Sequence, residues 1–176
     1  MAKKRPQRPR PKRGPYVAAA VFCESVIEGK DGCLTPVRII DSITAVIDPS
    51  TPPDFPSKEN RLSVDVWSVV ILKSGDSPGE HSIRLVVESP SGSKKTGYEQ
   101  ILTLSEPAQG GINLRIHQSI GVVDGGLFWI HVLVDEKRLT SMPLLIRVTR
   151  EQAIAAPPTP NGQPAPRRLR RSRKRW

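Results

Sequence analysis

The side chains that most often perform chemistry are few in this sequence, with three histidines and two cysteines. A cysteine nucleophile needs a histidine as its base, and His81, His117 and His131 all fall within predicted strands. Cys23 follows an apolar run, and free cysteine is among the residue types most often buried. The sequence therefore predicts a core position for Cys23, no catalytic residues and a protein that is not an enzyme.

Metal and acid–base chemistry have no specific motif either. The ligand spacings CxxC, HxH and HExxH do not occur, so no metal and no cofactor is expected. His131 falls beside Trp129 on the face opposite the core, as in a partly exposed sheet-surface histidine, although three histidines from three strands could still meet on one sheet. Four carboxylates fall in turns, where aspartate is favoured for its backbone hydrogen bonds. They are Asp31, Asp76, Asp124 and Asp135.

The distribution of charge is the feature with a physical link to function. The chain of 176 residues has a net charge of +10. Residues 1–13 and 167–176 each hold seven basic residues and no acidic ones, which leaves 13 basic and 17 acidic residues elsewhere, a net of −4. The basic residues of these two segments are Lys3, Lys4, Arg5, Arg8, Arg10, Lys12, Arg13, Arg167, Arg168, Arg170, Arg171, Arg173, Lys174 and Arg175.

Both basic segments are predicted to be disordered arms, because like-charged, Pro-rich sequence buries too little apolar surface to offset chain entropy. Cationic side chains without neighbouring acids bind polyanions by releasing counterions, and arginine pairs with phosphate through two hydrogen bonds. The alternative is that the arms only keep the protein soluble. An anionic membrane surface is disfavoured as a partner, since Leu169 and Trp176 are nearly the only apolar anchors.

Two apolar strands near the end of the central region show the clearest periodicity. Residues 125–149 predict a β-hairpin with a charged turn at 135–138. Every second residue is apolar, and such a face must pack against a second layer. The inward positions are Phe128, Ile130, Val132 and Val134 in the first strand and Met142, Leu144, Ile146 and Val148 in the second.

Six further strands are predicted before this hairpin, separated by turns rich in Gly, Pro and Asp. They cover residues 16–27, 37–47, 61–73, 81–89, 98–104 and 112–120. The third is apolar on both faces, which is typical of a central strand. In the second, Asp41 shares a face with apolar residues, so it is either buried and hydrogen-bonded or turned outward by a bulge. Those apolar residues are Val37, Ile39, Ile43, Ala45 and Ile47.

Strands at this spacing, without an amphipathic helix, predict an all-β protein, an antiparallel immunoglobulin-like β-sandwich of about eight strands. We expect the sandwich domain to cover residues 15–150. Residues 1–14 then form a disordered basic arm, and residues 151–176 form a Pro-rich linker followed by a second disordered basic arm.

The two cysteines indicate which cellular compartment the protein occupies. A turn at residues 29–32 places Cys33 beside it and Cys23 well along the strand, too far apart for a disulfide, and free thiols are typical of a reducing compartment. No apolar run approaches the length of a membrane span. The short run at 17–22 lacks the small-residue cleavage pattern of a secretory signal. We therefore expect a cytoplasmic protein.

Two stretches carry a resemblance to a known family. The first comprises Phe22-Cys23-Glu24, Val26, Asp31-Gly32-x-Leu34-Thr35 and Arg38-Ile39-Ile40-Asp41, and the second is Gly126-x-Phe128-x-Ile130-x-Val132-x-Val134-Asp135. They resemble the opening and the last hairpin of a family of small bacterial β-sandwich proteins of unknown function. The resemblance covers roughly residues 16–149 and implies a fold but no activity. The second stretch is also similar to a strand of immunoglobulin-type sandwiches in general, which implies fold and not function.

These observations favour a non-enzymatic binding module whose folded part contacts another protein and whose arms bind nucleic acid or another polyanion. Candidate contact residues are Trp67, Trp129 and Leu145, which point away from the expected core. The alternative for these side chains is that they cover each other or the chain's own loops. The alternative is a structural or assembly subunit, of a phage particle or a large complex, with arms that thread along its neighbours. The oligomeric state and the identity of any partner stay open.

Overall fold

The computed structural model describes residues 14–105 and 111–151, and these form a β-sandwich of nine strands. The strands are β1 (Tyr16–Glu28), β2 (Leu34–Ile40), β3 (Ser42–Ile47), β4 (Leu62–Lys73), β5 (Gly79–Glu88), β6 (Lys94–Leu104), β7 (Gly111–Val122), β8 (Gly126–Val134) and β9 (Lys137–Arg150). A four-stranded sheet has the order β2-β1-β4-β7, and a five-stranded sheet has the order β3-β9-β8-β5-β6. The predicted fold class, an all-β sandwich, is confirmed.

The predicted closing hairpin is present as β8 and β9. Asp135 and Glu136 make its turn with positive φ angles of 48° and 63°, a conformation in which aspartate is enriched among residues other than glycine. The alternate apolar residues of β8 are buried between the sheets, with Val132 and Ile130 0% exposed. In β9 the same holds for Met142, Leu144 and Ile146, while Val148 is half-buried. The predicted inward face of this hairpin is therefore confirmed.

The second predicted strand, residues 37–47, is in fact two strands in different sheets. β2 pairs with β1 in the four-stranded sheet, and β3 pairs in parallel with β9 in the five-stranded sheet. Asp41 lies between them, is exposed, and accepts a hydrogen bond at its backbone oxygen from the Leu145 N–H at 2.9 Å. The outward alternative for Asp41 is thus the observed one. The crossing raises the count from about eight strands to nine and makes one strand pair parallel.

The crossing also corrects the expected faces. Ile39 is 66% exposed on the outer side of the four-stranded sheet, whereas Ile47 is buried in the core. A single strand would have placed both residues on one face. Strand β4, predicted as central, does lie between β1 and β7, and its Val70 and Leu72 are 0% exposed.

Both cysteines are free, as predicted. Cys23 is buried within β1, opposite Ile39 of β2. Cys33 is exposed beside the turn that joins these strands, and its N–H donates to the Asp31 carboxylate at 3.0 Å. This hydrogen bond is the largest cause of the lowered pKa of Asp31. Asp31 therefore forms a backbone hydrogen bond within a turn, as predicted.

The ends of the sandwich can be named from its turns. β4 ends at Lys73 opposite Tyr16, and the short turn at 74–78 leads into β5. Ile83 of β5 is opposite Val134, immediately before the β8–β9 turn. The start of β1, the β4–β5 turn and the β8–β9 turn therefore lie at the same end of the sandwich, which we call the Asp135 end. The other end, where β7 turns into β8, is the Asp124 end. Among the described residues no helix is long and apolar enough to cross a membrane.

Candidate functional site

The fourteen basic residues predicted to bind polyanions lie outside the described residues, as do the proposed disordered arms and the linker apart from Gly14 and Glu151. What the structure shows is where the described chain meets them. β1 begins with Tyr16 at the Asp135 end, while β9 starts at that end and runs to Arg150 at the Asp124 end. The described chain therefore begins at one end of the sandwich and finishes at the other, and residues 152–166 separate the second end from the second basic segment.

Hydrogen bonds hold both junctions to the domain. At the Asp135 end the Gly14 N–H donates to the carboxylate of Asp76. At the Asp124 end the guanidinium of Arg150 donates to three backbone oxygens of the Pro-rich loop, those of Thr51 at 2.7 Å, Pro52 at 3.1 Å and Phe55 at 3.0 Å. Each junction is thus fixed to its own end of the sandwich.

The outer face of the five-stranded sheet carries an exposed apolar patch. It consists of Leu127 and Trp129 on β8 with Leu145 and Pro143 opposite them on β9. Leu127 is 43% exposed and Trp129 is 38% exposed, while Pro143 is exposed and Leu145 is half-buried. We call these four residues the outer apolar patch.

Trp67, the third predicted contact residue, lies on the other sheet. It is on the outer face of β4, opposite His117 of β7, with the two ring centroids 4.7 Å apart. The Arg115 guanidinium lies 5.6 Å from the centre of the Trp67 ring, a cation–π distance, and forms an ion pair with Glu28 at 3.4 Å. The structure therefore brings Trp129 and Leu145 together but not Trp67, which is half-buried among its neighbours.

His131 is more buried than the sequence predicts. It points to the outer face, as expected, but is only 7% exposed. Its Nε2 lies 3.0 Å from Glu88 Oε2, and its Nδ1 lies 2.8 Å from Ser141 Oγ. Hydrogen bonds from His131 and then from Lys94 lower the pKa of Glu88. The expectation of a partly exposed histidine failed because these cross-strand neighbours cover the ring.

Glu88, His131 and Ser141 are the residue types of a hydrolase triad. Because a carboxylate only accepts, the ring donates from Nε2–H to Glu88, and Nδ1 shares its hydrogen bond with the Ser141 hydroxyl. A serine nucleophile also needs a concave site and donors for the oxyanion. These three residues lie instead on the outer sheet face, and none of them lines the cavity described below. Their hydrogen bonds satisfy a buried imidazole, which is a structural role.

His81 forms a second pair, with the turn of the closing hairpin. Its Nδ1 lies 2.6 Å from Asp135 Oδ2 and its Nε2 lies 2.9 Å from the Ser77 backbone oxygen. Both partners are acceptors, so this site favours the doubly protonated ring. Burial acts to lower the pKa of His81, but the hydrogen bonds to Asp135 and Ser77 outweigh it and the pKa is raised. The hydrogen bond with His81 lowers the pKa of Asp135.

The three histidines do not meet on one sheet. His81 and His131 belong to the five-stranded sheet but occupy opposite faces, and His117 belongs to the four-stranded sheet. Within residues 14–105 and 111–151, no three His, Cys, Asp or Glu side chains are grouped so that they could hold a metal ion.

We expect Asp135→Asn to make stability less dependent on pH. The raised pKa of His81 means that the pair stabilises the fold fully below the ordinary histidine pKa of about 6.5 and loses this effect as pH rises through the raised value. Protonation of Asp135 also ends the pairing, but because the pKa of Asp135 is lowered this happens only below pH of about 4. The urea midpoint of Asp135→Asn should therefore fall furthest below that of the wild type near pH of about 5 to 6, and less far at pH of about 9.

Asparagine retains an acceptor oxygen and tolerates the positive φ of this turn, so the substitution removes chiefly the charge. Asp124→Asn, in the turn at the other end, is the matched control and should leave the pH profile unchanged. A loss from Asp135→Asn that is equal at all pH values would contradict the assignment of a charged pair.

A cavity of about 510 Å³ opens near the Asp124 end, between the edge strands of the two sheets. Its lining includes Lys58, Arg61 and Lys95, together with Asp124. Lys58, Arg61 and Lys95 were not predicted as site residues, because the cavity lining comes from separate segments of the chain and shares no motif. Only their approach in the folded domain groups them, and no local signal would have found them.

Comparisons with known proteins concern the fold alone. No protein-family model matches this chain, and no curated protein matches it in sequence. A similar solved structure is the alkylpurine DNA glycosylase of Pseudomonas fluorescens bound to DNA with an abasic-site analog, at 16% identity over 76% of this chain and 30% of that chain, with a TM-score of 0.47. This chain thus spans less than a third of the glycosylase's length.

Two further structures are similar at lower scores. An immunoglobulin-like protein of Pseudomonas aeruginosa is 12% identical over 76% of this chain and 96% of that chain, with a TM-score of 0.37. A β-glucosidase of Listeria innocua in complex with glucose is 10% identical over 77% of this chain and 17% of that chain, with a TM-score of 0.38. An immunoglobulin-like protein is therefore among the structural neighbours of this sandwich.

Proposed function

We propose that the protein is a non-enzymatic binding module that attaches to nucleic acid, or to another extended polyanion, through its two basic arms. The observation that carries the proposal is the segregation of charge. Fourteen basic residues stand in two acid-free segments, whereas the rest of the chain has a net charge of −4. A phosphate backbone binds such segments by releasing its condensed counterions.

The positions of the two junctions support this proposal. Strand β4 has 12 residues, so the two ends of the sandwich are about 40 Å apart at a rise of about 3.3 Å per residue. Residues 1–13 directly precede the Asp135 end and residues 152–176 follow the Asp124 end, so the two arms can reach different stretches of one long polyanion. Two linked weak contacts raise the overall affinity without any new contact being made.

We further propose that the folded domain binds another protein through the outer apolar patch. Exposed aromatic side chains are enriched in the centres of protein interfaces. Within the outer apolar patch, Trp129 lies beside Leu127 and opposite Pro143. Two free cysteines fit a reducing compartment, and we propose that the protein works in the cytoplasm. The alternative, an assembly subunit with arms along its neighbours, is favoured by arm junctions at opposite ends. It predicts a symmetric oligomer that Trp129→Ser dissociates, as seen in light scattering.

The arms can be tested one at a time. The lysines and arginines of residues 1–13, of residues 167–176, or of both are replaced by glutamine in the full chain. Fluorescence anisotropy with a duplex lacking terminal phosphates should show weaker binding for each one-arm variant and no measurable binding when both are neutralised. Lys30→Gln with Arg147→Gln, on the domain itself, should bind like the wild type. Full affinity with both arms neutralised would refute the proposal.

A further inference from the structure

The cavity near the Asp124 end has the features of a small-molecule site. Its volume of about 510 Å³ falls within the range of about 300 to 1,000 Å³ that is usual for ligand pockets. It lies where β6 and β7, the edge strands of the two sheets, approach one another. Part of its lining is the apolar surface of Val87, Ile120 and Phe128, which are core or near-core residues.

The charge of the lining is opposite to that of the domain. Lys58, Arg61 and Lys95 contribute three positive charges, and Asp124 contributes one negative charge, which gives a net of +2. Residues 14–166 as a whole have a net of −4. Within the described part of the chain, none of these three cations forms an ion pair with a carboxylate. The cavity thus concentrates unneutralised positive charge that a bound anion would offset.

The position of Arg61 is set by the backbone beside it. Its Nε donates to the Lys58 backbone oxygen at 3.4 Å. Its aliphatic chain crosses β7 at Gly121, where a Cβ would lie 3.0 Å from Arg61 Cδ. A side chain at Gly121 would therefore push this arginine away, and glycine leaves room for it to lie along the cavity wall.

Glycine at position 97 leaves a buried acceptor next to the cavity. A Cβ at Gly97 would lie 3.2 Å from Gln118 Oε1. Gln118 is 4% exposed, and its Nε2 donates to Ser68 Oγ at 2.7 Å. Its Oε1 is buried and has no hydrogen-bond partner among the described residues. Such an atom is costly to leave unpaired, and it lies directly behind Gly97, which lines the cavity.

We propose that this cavity binds a phosphomonoester, with its dianion near Lys58, Arg61 and Lys95 and its organic part on the apolar lining toward Gly97. Two negative charges match the net of +2 on the lining. Hydroxyls of the lining, including those of Ser93 and Thr96, add donors for phosphate oxygens. The site belongs to the folded domain and does not depend on the arms.

A phosphomonoester has two sources, a free nucleotide-sized metabolite and the terminal phosphate of a nucleic-acid strand. Internal phosphodiesters carry one charge each and lie on a continuous backbone, so they match the cavity less well. The polyanion binding proposed for the arms uses those internal phosphates, and either proposal can therefore fail while the other holds.

The test is an NMR titration of the isotope-labelled full chain with adenosine 5′-monophosphate, and with adenosine as the matched compound without phosphate. We expect saturable shifts at the amides of Gly97 and Gly121 with the monophosphate and none with adenosine. In Arg61→Gln with Lys95→Gln the Kd should rise roughly tenfold or more, since hydrogen bonds to charged groups are lost. Lys30→Gln with Arg147→Gln, which removes the same charge elsewhere, should leave the Kd within about twofold.

A trinucleotide with a 5′-phosphate, compared with the same trinucleotide without it, separates the two sources. Saturation of the cavity amides by the monophosphate alone identifies a free metabolite, and saturation by the phosphorylated trinucleotide identifies a strand end. Either outcome supports the site. The proposal is overturned by shifts confined to the arms, by equal weakening in the two double variants, or by adenosine binding as well as its phosphate.

Discussion

Val132→Asp is expected to leave the protein unfolded at room temperature. Val132 is 0% exposed and lies on the inward face of β8, opposite Leu85 of β5 and Thr140 of β9. A carboxylate there has core side chains around it and no cationic partner. Burying an uncompensated polar or charged group costs several kcal/mol or more, and a domain of this size has only about 5 to 15 kcal/mol of stability. Circular dichroism should show no cooperative thermal transition.

Leu127→Asp is the matched control on the same strand. Leu127 faces outward and is 43% exposed, so its carboxylate stays in water and the melting temperature should fall by only a few degrees. The two variants change a similar side chain to the same residue, five positions apart. If both unfold, or if both fold, the inward and outward faces of β8 are assigned wrongly.

The parts of the fold that the sequence predicts well are those where period-2 apolar alternation persists over a whole strand. In the closing hairpin, alternation from Phe128 to Val134 determines which face is buried, because a shift of one residue would expose every apolar side chain. The charged turn then defines the register. Strand β4 is apolar on both faces and proves to be central, since its outer residues Trp67 and Val69 are also covered.

Sequence-based predictions are wrong or missing where pairing, burial or grouping depends on residues that are distant in sequence. Around Asp41 the apolar residues of 37–47 fit one long strand, but the chain crosses from one sheet to the other there, and β3 pairs with β9, about a hundred residues away in sequence. Local alternation carries no information about such a distant partner. His131 shows the same limit, because its burial depends on Glu88 and Ser141 from two neighbouring strands. The cavity residues are a third case, grouped only by the packing of both sheets.

Binding of the full chain to duplex DNA should weaken steeply with salt. Each phosphate neutralised releases counterions, and the logarithm of affinity falls with the logarithm of salt concentration at a slope of about −0.9 per phosphate. If about six to ten of the fourteen arm cations contact phosphates, the slope is about −5 to −9. Affinity then falls by roughly 10³ to 10⁵ between about 50 and 200 mM salt.

The competing outcome is that the arms fold back onto their own domain. The domain's net charge of −4 is spread over an exposed surface, and at physiological salt the Debye length is about 8 Å, which screens most of this attraction. Duplex DNA carries one charge per about 1.7 Å and is a far denser target. The arms are therefore expected to bind an external polyanion in preference to their own domain. Fluorescence anisotropy at five salt concentrations, with two duplexes of unrelated sequence, measures both the slope and the indifference to sequence.

Neutralising one arm should halve the slope, because each arm holds seven of the fourteen cations, and neutralising both should bring it near zero. This dependence separates arm binding from a site on the domain. A steep slope that survives neutralisation of both arms would place the contact on the sandwich. A flat slope in the full chain would mean that few phosphates are contacted, and the arms would then serve a different acidic partner or act only as solubilising extensions.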